Sequence, residues 1–175
     1  KALKVGDQME EDTDVGPLTS EQAAEKVKAV IDDAIEAGAR LVAGGGQHGA
    51  FVEPTVLTSV PPQVKLFSEE TFGPVAPLVA FESVDEAVEM ANDTPYGLQA
   101  AIFTKDISRA LDVAHRLEVG GVIVNWSSAV RVESLPFGGV KMTGHGREGL
   151  HDTLNDMTEQ KTIIVFDAIS TFAGK

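Results

Sequence analysis

Residues 75–125 read VAPLVAFESVDEAVEMANDTPYGLQAAIFTKDISRALDVAHRLEVGGVIVN, and short β-prone runs alternate there with longer amphipathic segments. Strands that alternate with helices through short connections are typical of an α/β fold, in which neighbouring strands pair in parallel. The sequence therefore predicts an α/β chain with a mostly parallel sheet flanked by helices. The predicted elements are a strand at 75–81, a helix opened by Ser83, a strand at 99–103, a helix capped by Asp106 and a strand at 122–125.

The clearest helix of the chain is predicted upstream of this stretch, over residues 19–37. Apolar residues recur there every three to four positions, so one face of the helix is apolar. Thr19 followed by Gln22 fits a capping box, and Gly38 suits the left-handed conformation that ends many helices. The pattern predicts a helix with both ends marked.

Three further segments are predicted as strands. Residues 40–43 read as a short buried strand, and the glycines at 44–46 are interpreted as a turn because no helix follows to bind a phosphate. A strand is expected over 51–57, where Pro54 implies a bend or a sheet edge. The run 161–166 is strongly β-prone but has no hairpin partner nearby. It is therefore expected to pair with a distant segment, including one on another subunit.

The composition narrows the class of protein. The formal net charge is −13, from 27 acidic and 14 basic residues, and such a surface disfavours nucleic acid as a partner. No apolar run approaches the roughly 20 residues needed to cross a bilayer, so no membrane span is predicted. The chain has no cysteine and hence no disulfide framework, and we expect a cytoplasmic protein. It opens on Lys1 rather than methionine, which suits a polypeptide that begins within a longer protein.

Neither a metal site nor hydrolytic chemistry is indicated. The acidic run at 9–14 is interpreted as a solvated loop, because it supplies neither histidine nor an ordered spacing of ligands. No Gly-x-Ser-x-Gly elbow occurs, so no serine nucleophile is indicated. The four histidines lack a metal-ligand spacing and are assigned solvated or packing roles: His48, His115, His145 and His151.

Two runs rich in motifs carry a resemblance to a known family. Residues 68–77 read SEETFGPVAP, and residues 136–148 read PFGGVKMTGHGRE. With other matching runs in the same order, they resemble the aldehyde dehydrogenase superfamily over nearly the whole chain. The segment RVESLPF at 131–137 is most similar to the branch of lactaldehyde, glyceraldehyde-phosphate and succinic-semialdehyde dehydrogenases. The other matching runs lie at 4–7, 15–18, 51–57 and 95–98.

The resemblance implies a nicotinamide cofactor, NAD or NADP, held in part by Glu70 and Phe72. Glu70 is expected to bind the hydroxyls of the nicotinamide ribose, since a carboxylate can accept two hydrogen bonds from a vicinal diol. Phe72 is expected to pack beside the nicotinamide, whereas the neighbouring Glu69 is interpreted as structural. The alternative interpretation is a solvated loop acid for Glu70 and a core aromatic for Phe72.

The resemblance also implies that the loop after residue 125 lines the aldehyde entrance. Asn125 ends a predicted strand, where α/β folds place ligands, and Arg131 and Phe137 match the substrate pocket. The guanidinium of Arg131 could bind an anionic tail of the aldehyde through paired N–H donors. Alternatively, Arg131 pairs with Glu133 on the surface. Three charged residues of the closing run are expected to hold loops and subunit contacts: Lys141, Arg147 and Glu148.

The implied reaction is the NAD(P)-dependent oxidation of an aldehyde to a carboxylic acid through a cysteine thiohemiacetal and thioester. Because the chain lacks cysteine, the nucleophile and the general base are expected upstream of Lys1, and no catalytic residue is assigned. Residues 1–150 are predicted to be the C-terminal portion of the catalytic domain. Residues 151–175 are predicted to form a tail with a strand that joins subunits of a homo-oligomer. The chain alone is expected to be inactive.

Two alternatives remain open at this point. A non-catalytic binding or assembly module could keep this fold without its nucleophile, and an unrelated α/β enzyme could carry the motifs by chance. An upstream cysteine in a longer natural chain would separate the enzyme from the module. The substrate is expected to be a small aldehyde, with an anionic tail as one option.

Overall fold

The computed structural model describes residues 3–166 of the chain. The chain forms two compact units, Lys1–Pro95 (unit 1) and Tyr96–Lys175 (unit 2). Helices and strands alternate in both units, which confirms the α/β class. None of the helices within residues 3–166 has the length and apolar character required to pass through a membrane.

The elements of each unit follow the order of the chain. Unit 1 contains α1 (Glu21–Glu36), β1 (Arg40–Ala43), β2 (Gln47–His48), β3 (Phe51–Val52), β4 (Thr55–Thr58), α2 (Lys65–Ser68), β5 (Val75–Leu78) and α3 (Val84–Asn92). Unit 2 contains β6 (Tyr96–Gly97), β7 (Gln99–Ile102), α4 (Ile107–Arg116), β8 (Gly121–Val124), β9 (Val140–Lys141) and α5 (Leu150–Asp156).

The main sheet of unit 1 has the strand order β1-β4-β5. β4 pairs in parallel with β5 and antiparallel with β1, so the pairing is mixed in this sheet. Thr55 and Leu57 of β4 are buried and alternate with half-buried residues, as expected for a strand with one face against a core. Leu57 belongs to a core cluster with residues of α1 and of the segment before α2.

α1 supplies most of the apolar side chains that cover this sheet. Its buried residues recur at helical spacing from Ala24 to Ala34, which gives one apolar face. The helix begins one residue later than the capping box predicted. The side chain of Ser20, not Thr19, accepts a hydrogen bond from the backbone N–H of Ala23 at 3.1 Å. Gly38 has φ +109° just after the helix, so the predicted stop is confirmed.

Two strand predictions in unit 1 need correction. β1 has the predicted bounds, but its four residues are exposed rather than buried. The single strand predicted over 51–57 is divided into β3 and β4 at Pro54. A Cβ on Gly44 would lie 2.2 Å from the carbonyl oxygen of Pro54, so the turn after β1 packs directly on this break. Because β4 is paired on both sides, Pro54 marks a bend and not an edge.

Unit 2 is built on the parallel pair β7–β8, with Gln99 opposite Gly121. The crossover between the two strands is α4, which Asp106 caps by accepting from the N–H of Arg109 at 3.1 Å, as predicted. A short antiparallel pair, β6–β9, lies beside it in the same unit. The predicted parallel pairing of β7 with β8 is confirmed.

The end of the described chain contains a helix but no strand. The helix is α5. Residues 161–166, predicted as a strand, carry no strand pairing within the described part of this single chain, and their side chains are exposed. The strand predicted at 161–166 is therefore not formed within the described residues, and its pairing with another subunit stays a prediction. Residues 167–175 of the predicted tail lie outside the described residues, and the boundary at residue 150 stays a prediction.

Candidate functional site

Glu70 and Phe72 lie on the turn that joins α2 to β5. The carboxylate of Glu70 is exposed and makes no hydrogen bond or ion pair with any residue in the range 3–166. Phe72 is 77% exposed, so its ring is not a core aromatic of unit 1. Thr71 between them is half-buried, and this alternation is typical of an extended segment. An acceptor-only carboxylate and an aromatic ring are thus both available at one turn.

The rest of the unit fixes this turn. The N–H of Thr55 donates to the carbonyl of Pro74 at 2.8 Å, which anchors the turn to β4. A Cβ on Gly73 would lie 2.7 Å from both methyl groups of Val27, so the backbone packs against α1 where only glycine fits. The backbone that carries Glu70 and Phe72 is therefore held against the core while both side chains face outward.

Asn125 follows β8 directly and has φ +59°, a left-handed conformation that asparagine tolerates better than most residues. Its Oδ1 accepts from the N–H of Thr104 at 2.8 Å, and its Nδ2 donates to the carbonyl of Thr104 at 2.9 Å. The side-chain amide therefore joins the end of β8 to the segment after β7. It also borders a cavity of about 540 Å³ with Phe103, Ile107 and Val124.

Arg131 and Phe137 come together in unit 2. The guanidinium carbon lies 4.8 Å from the centre of the Phe137 ring, within the range of a cation–π contact. Both residues line a cavity of about 140 Å³ that is bounded by β8 and the following loop. Gln99 also lines it, and its Nε2 donates to the carbonyl of Val130 at 3.2 Å. Asn125 borders the other cavity, so it is not grouped with this pair.

The charge of Arg131 is balanced by two acids. Its Nη1 lies 3.0 Å from Oε2 of Glu148, and its Nε lies 3.5 Å from Oε1 of Glu133. The surface pair with Glu133 was expected as the alternative to substrate binding. Glu148, 17 positions along the chain, is the closer partner, and sequence reasoning missed it. The only feature of the sequence that could have indicated this ion pair is the opposite charge of the two residues on either side of a turn.

The closing run is held together by its own charged side chains, as expected for Lys141 and Arg147. Nη1 of Arg147 donates to the carbonyls of Gly139 and Gly146 at 2.8 and 2.7 Å. Lys141 has φ +57°, and its ammonium lies 2.9 Å from a carboxylate oxygen of Glu118. These contacts fix the shape of the loop that carries Phe137.

One glycine contact of this loop was not anticipated. A Cβ on Gly120 would lie 1.6 Å from the carbonyl oxygen of Gly138, so the two backbone segments approach more closely than any side chain permits. The N–H of Gly120 is also within hydrogen-bond distance of the carbonyls of Gly97 and Leu98, at 3.1 and 3.0 Å. Gly120 lies directly before β8, which begins at Gly121.

The predicted site residues are thus divided between the two units. Glu70 and Phe72 belong to unit 1, whereas Asn125, Arg131 and Phe137 belong to unit 2. In the described range 3–166, no three His, Asp or Glu side chains are arranged so that they could hold a metal ion. Each unit offers a distinct set of chemical groups: an acceptor and an aromatic ring in the first, a guanidinium over a ring in the second.

Comparison with known proteins gives a consistent picture. The model of the family described as "Aldehyde dehydrogenase family" matches residues 1–163. A 3-sulfolactaldehyde dehydrogenase of Pseudomonas putida is 48% identical over 164 residues, which are 92% of this chain and 34% of that protein.

Two solved structures are similar in fold as well as in sequence. Aldehyde dehydrogenase 21 (ALDH21) from Physcomitrella patens, in complex with the reaction product succinate, has a TM-score of 0.92 and 43% identity over 96% of this chain and 35% of its own. Glyceraldehyde-3-phosphate dehydrogenase GapN from Methanocaldococcus jannaschii, complexed with NADP, has a TM-score of 0.88 and 44% identity over 93% of this chain and 35% of its own.

The chain spans about a third of the length of the curated relatives that it matches. The match nevertheless covers nearly all of its own residues, including both units and the motifs at 68–77 and 136–148. On these grounds the chain belongs to the aldehyde dehydrogenase family.

Proposed function

We propose that this chain forms part of an NAD(P)-dependent aldehyde dehydrogenase, which oxidises an aldehyde to a carboxylic acid with a cysteine nucleophile from outside these 175 residues. The observation that carries the proposal is the fixed turn of unit 1, where the unpaired carboxylate of Glu70 stands beside the exposed ring of Phe72. When bound, the dinucleotide supplies a nicotinamide ring that accepts a hydride.

The side chains at the turn fit that cofactor. Glu70 accepts hydrogen bonds and donates none, and its two oxygens match the two hydroxyl donors of a ribose. Phe72 offers an apolar face against which a flat heteroaromatic ring can pack. Because the backbone of the turn is held to β4 and α1, the positions from which both side chains project are fixed before any ligand arrives. NAD and NADP share the ribose in question, so both remain in the proposal.

The residues proposed to bind the aldehyde lie in unit 2. Arg131 would hold an anionic tail through its N–H donors, and Phe137 would cover the apolar part of the substrate. An anionic aldehyde is supported by the relatives named above, which are a sulfolactaldehyde dehydrogenase, an aldehyde dehydrogenase with bound succinate and a glyceraldehyde-3-phosphate dehydrogenase. Contact of Asn125 with the aldehyde stays part of the proposal, although its two hydrogen bonds to Thr104 favour a role in holding the loop.

The proposal includes a homo-oligomer and a cytoplasmic location. Residues 161–166 contain four consecutive exposed apolar side chains, Ile163 to Phe166, and a β-prone segment of this kind suits pairing with the sheet edge of a second copy. Sedimentation velocity of the natural protein with and without residues 157–175 tests the assembly. An unchanged oligomer after truncation would reject this role for the segment, and cell fractionation tests the location.

The decisive experiment compares two neighbouring acids in the natural reading frame that contains this sequence. Formation of reduced nicotinamide is measured with a panel of aldehydes and with both cofactors. Glu70→Gln should raise the KM for the cofactor by about 10- to 100-fold, since two charge-assisted hydrogen bonds weaken. Glu69→Gln, which makes the same change one residue away, should leave it nearly unchanged.

Three outcomes would count against the proposal. Equal effects of Glu70→Gln and Glu69→Gln would support the alternative interpretation, in which Glu70 is a solvated loop acid. A natural product that begins at Lys1 and turns over no aldehyde would favour a non-catalytic binding or assembly module with this fold. Turnover by the 175-residue chain alone would contradict the requirement for an outside cysteine.

A further inference from the structure

Two carboxylates already occupy the guanidinium of Arg131. Glu148 and Glu133 lie 3.0 and 3.5 Å from it. An anionic tail that approaches the guanidinium is attracted by its charge but repelled by both carboxylates. To bind Arg131 closely, the tail must take the place of a carboxylate that is already there.

The two acids are not equivalent competitors. The side chain of Glu133 is 86% exposed, and its separation from Nε is longer than a good charge-assisted hydrogen bond. Glu148 lies at hydrogen-bonding distance, and its backbone is fixed by Phe137. The N–H of Phe137 donates to the carbonyl of Glu148 at 2.8 Å, and the N–H of Glu148 donates back at 2.6 Å. The fold therefore places the Glu148 carboxylate beside the ring over which Arg131 lies.

We propose that Glu148 is a specificity-determining residue, whose carboxylate competes with the anionic tail of an aldehyde for the guanidinium of Arg131. This inference rests on the proposed function, which assigns Arg131 to the aldehyde side of the site. When an anion binds, the Glu148 side chain moves into solvent, where it is already 67% exposed. Arg131 keeps its place over Phe137, because the cation–π contact does not depend on the acid.

Such competition makes specificity a difference between two affinities. A neutral tail leaves the ion pair intact, whereas an anionic tail must first break it. Because the side chain of Arg131 is 43% exposed, water screens the pair and the competition is modest. Removal of the Glu148 charge should tighten the binding of an anion by about threefold to fivefold, the upper part of the range that exposed ion pairs give.

The test measures anion binding to the 175-residue chain directly. The protein is labelled with ¹⁵N-arginine, and the Nε–H signal of Arg131 is identified by its loss in Arg131→Lys. Succinate and methanesulfonate are titrated into the wild type, Glu148→Gln and Glu159→Gln. The last variant is a matched control, because it removes one exposed acid of the same unit that does not pair with Arg131.

Glu148→Gln should bind both probes about threefold to fivefold more tightly than the wild type, while Glu159→Gln should change affinity by less than about 1.5-fold. Glu133→Gln should give a smaller gain than Glu148→Gln, and Glu148→Asp, which withdraws the carboxylate by one methylene, an intermediate one. These two variants keep the test decisive should Glu148→Gln fold poorly.

Equal or weaker binding by Glu148→Gln, or no binding of either probe to any variant, would overturn the inference. So would equal gains from Glu148→Gln and Glu159→Gln, which would show an effect of net charge alone. None of these measurements needs turnover. A failure here therefore leaves the aldehyde assay with Glu70→Gln as a separate test of the proposed function.

Discussion

α1 and α4 are both capped amphipathic helices, but they differ in what covers their apolar faces. The face of α1 is buried from Ala24 to Ala34. On α4 only Ala110 is buried, while Ile107 and Leu111 are 66% and 64% exposed. The same helical period therefore gives an apolar face in both cases, and the partner that packs on it decides whether it becomes a core.

The contrast extends to the two units as a whole. Within residues 3–166, every buried apolar side chain except that of Ala110 lies in unit 1. The parallel pair β7–β8 of unit 2 belongs to a class of sheet that is normally covered on both faces. The order of unit 2 thus depends more on hydrogen bonds and close backbone packing, such as those of Asn125 and Gly120, than on a core of its own.

The largest effect is expected from Leu57→Ala in unit 1. Leu57 is fully buried against Ala34, Val60 and Val64, so truncation loses transfer free energy and leaves a cavity. The free energy of unfolding should fall by about 2–5 kcal/mol. Urea denaturation followed by far-ultraviolet circular dichroism measures it, with Leu57→Met as a volume-matched control that should cost less than about 1.5 kcal/mol. A loss below about 1 kcal/mol for Leu57→Ala would contradict the inferred difference in core packing between the two units.

A smaller and more local effect is expected from Asn125→Ala in unit 2. The substitution removes both hydrogen bonds to Thr104 and puts a Cβ without a compensating amide at φ +59°, at a cost of about 1–3 kcal/mol. The hydrogen-exchange rate of the Thr104 amide, whose acceptor is lost, should rise accordingly. Asn125→Gly relieves the backbone strain but also lacks the side-chain amide. The exchange of the Thr104 N–H should therefore be fast in this variant as well. Slow exchange in both variants would contradict the proposed hold on the loop.

The smallest effect is expected from Leu111→Ala on α4. The chemical change is the same as at Leu57, but the side chain is mostly in water already, so the free energy of unfolding should change by less than about 0.5 kcal/mol. Light scattering should also show less self-association, because an exposed apolar patch is reduced. A stability loss comparable with that of Leu57→Ala would mean that the α4 face is covered in solution, and would erase the difference between the helices.

Local interactions account for what the sequence could predict. The N-caps Ser83 and Asp106 bind N–H groups three residues ahead, and Gly38 ends α1 through its own backbone freedom. Each of these depends on a few adjacent residues, and each is confirmed. The misplaced cap of α1 shows the limit of the method, because Thr19 and Ser20 are both good capping residues and only the three-dimensional start of the helix selects one.

Predictions that depended on distant residues were less accurate. Residues 40–43 are apolar enough for a buried strand, yet nothing in unit 1 covers them. The break at Pro54 depends on the close approach of Gly44, and the partner of Arg131 is brought from position 148 by the bridge to Phe137. The site motifs at 68–77 and 136–148 could be recognised from the sequence, whereas the ion pair that balances Arg131 required the fold.

The contact between Gly120 and Gly138 has a practical consequence for varying the loop that carries Arg131 and Phe137. A saturation library over the loop that carries Arg131 and Phe137 can sample the exposed positions from Val132 to Leu135 with little risk to expression. Variation at Gly120 should instead return almost only the parental codon among folded clones, since any β-carbon would collide with a carbonyl oxygen 1.6 Å away. Gly120 is therefore best left unchanged, and the library is better directed to the exposed positions from Val132 to Leu135.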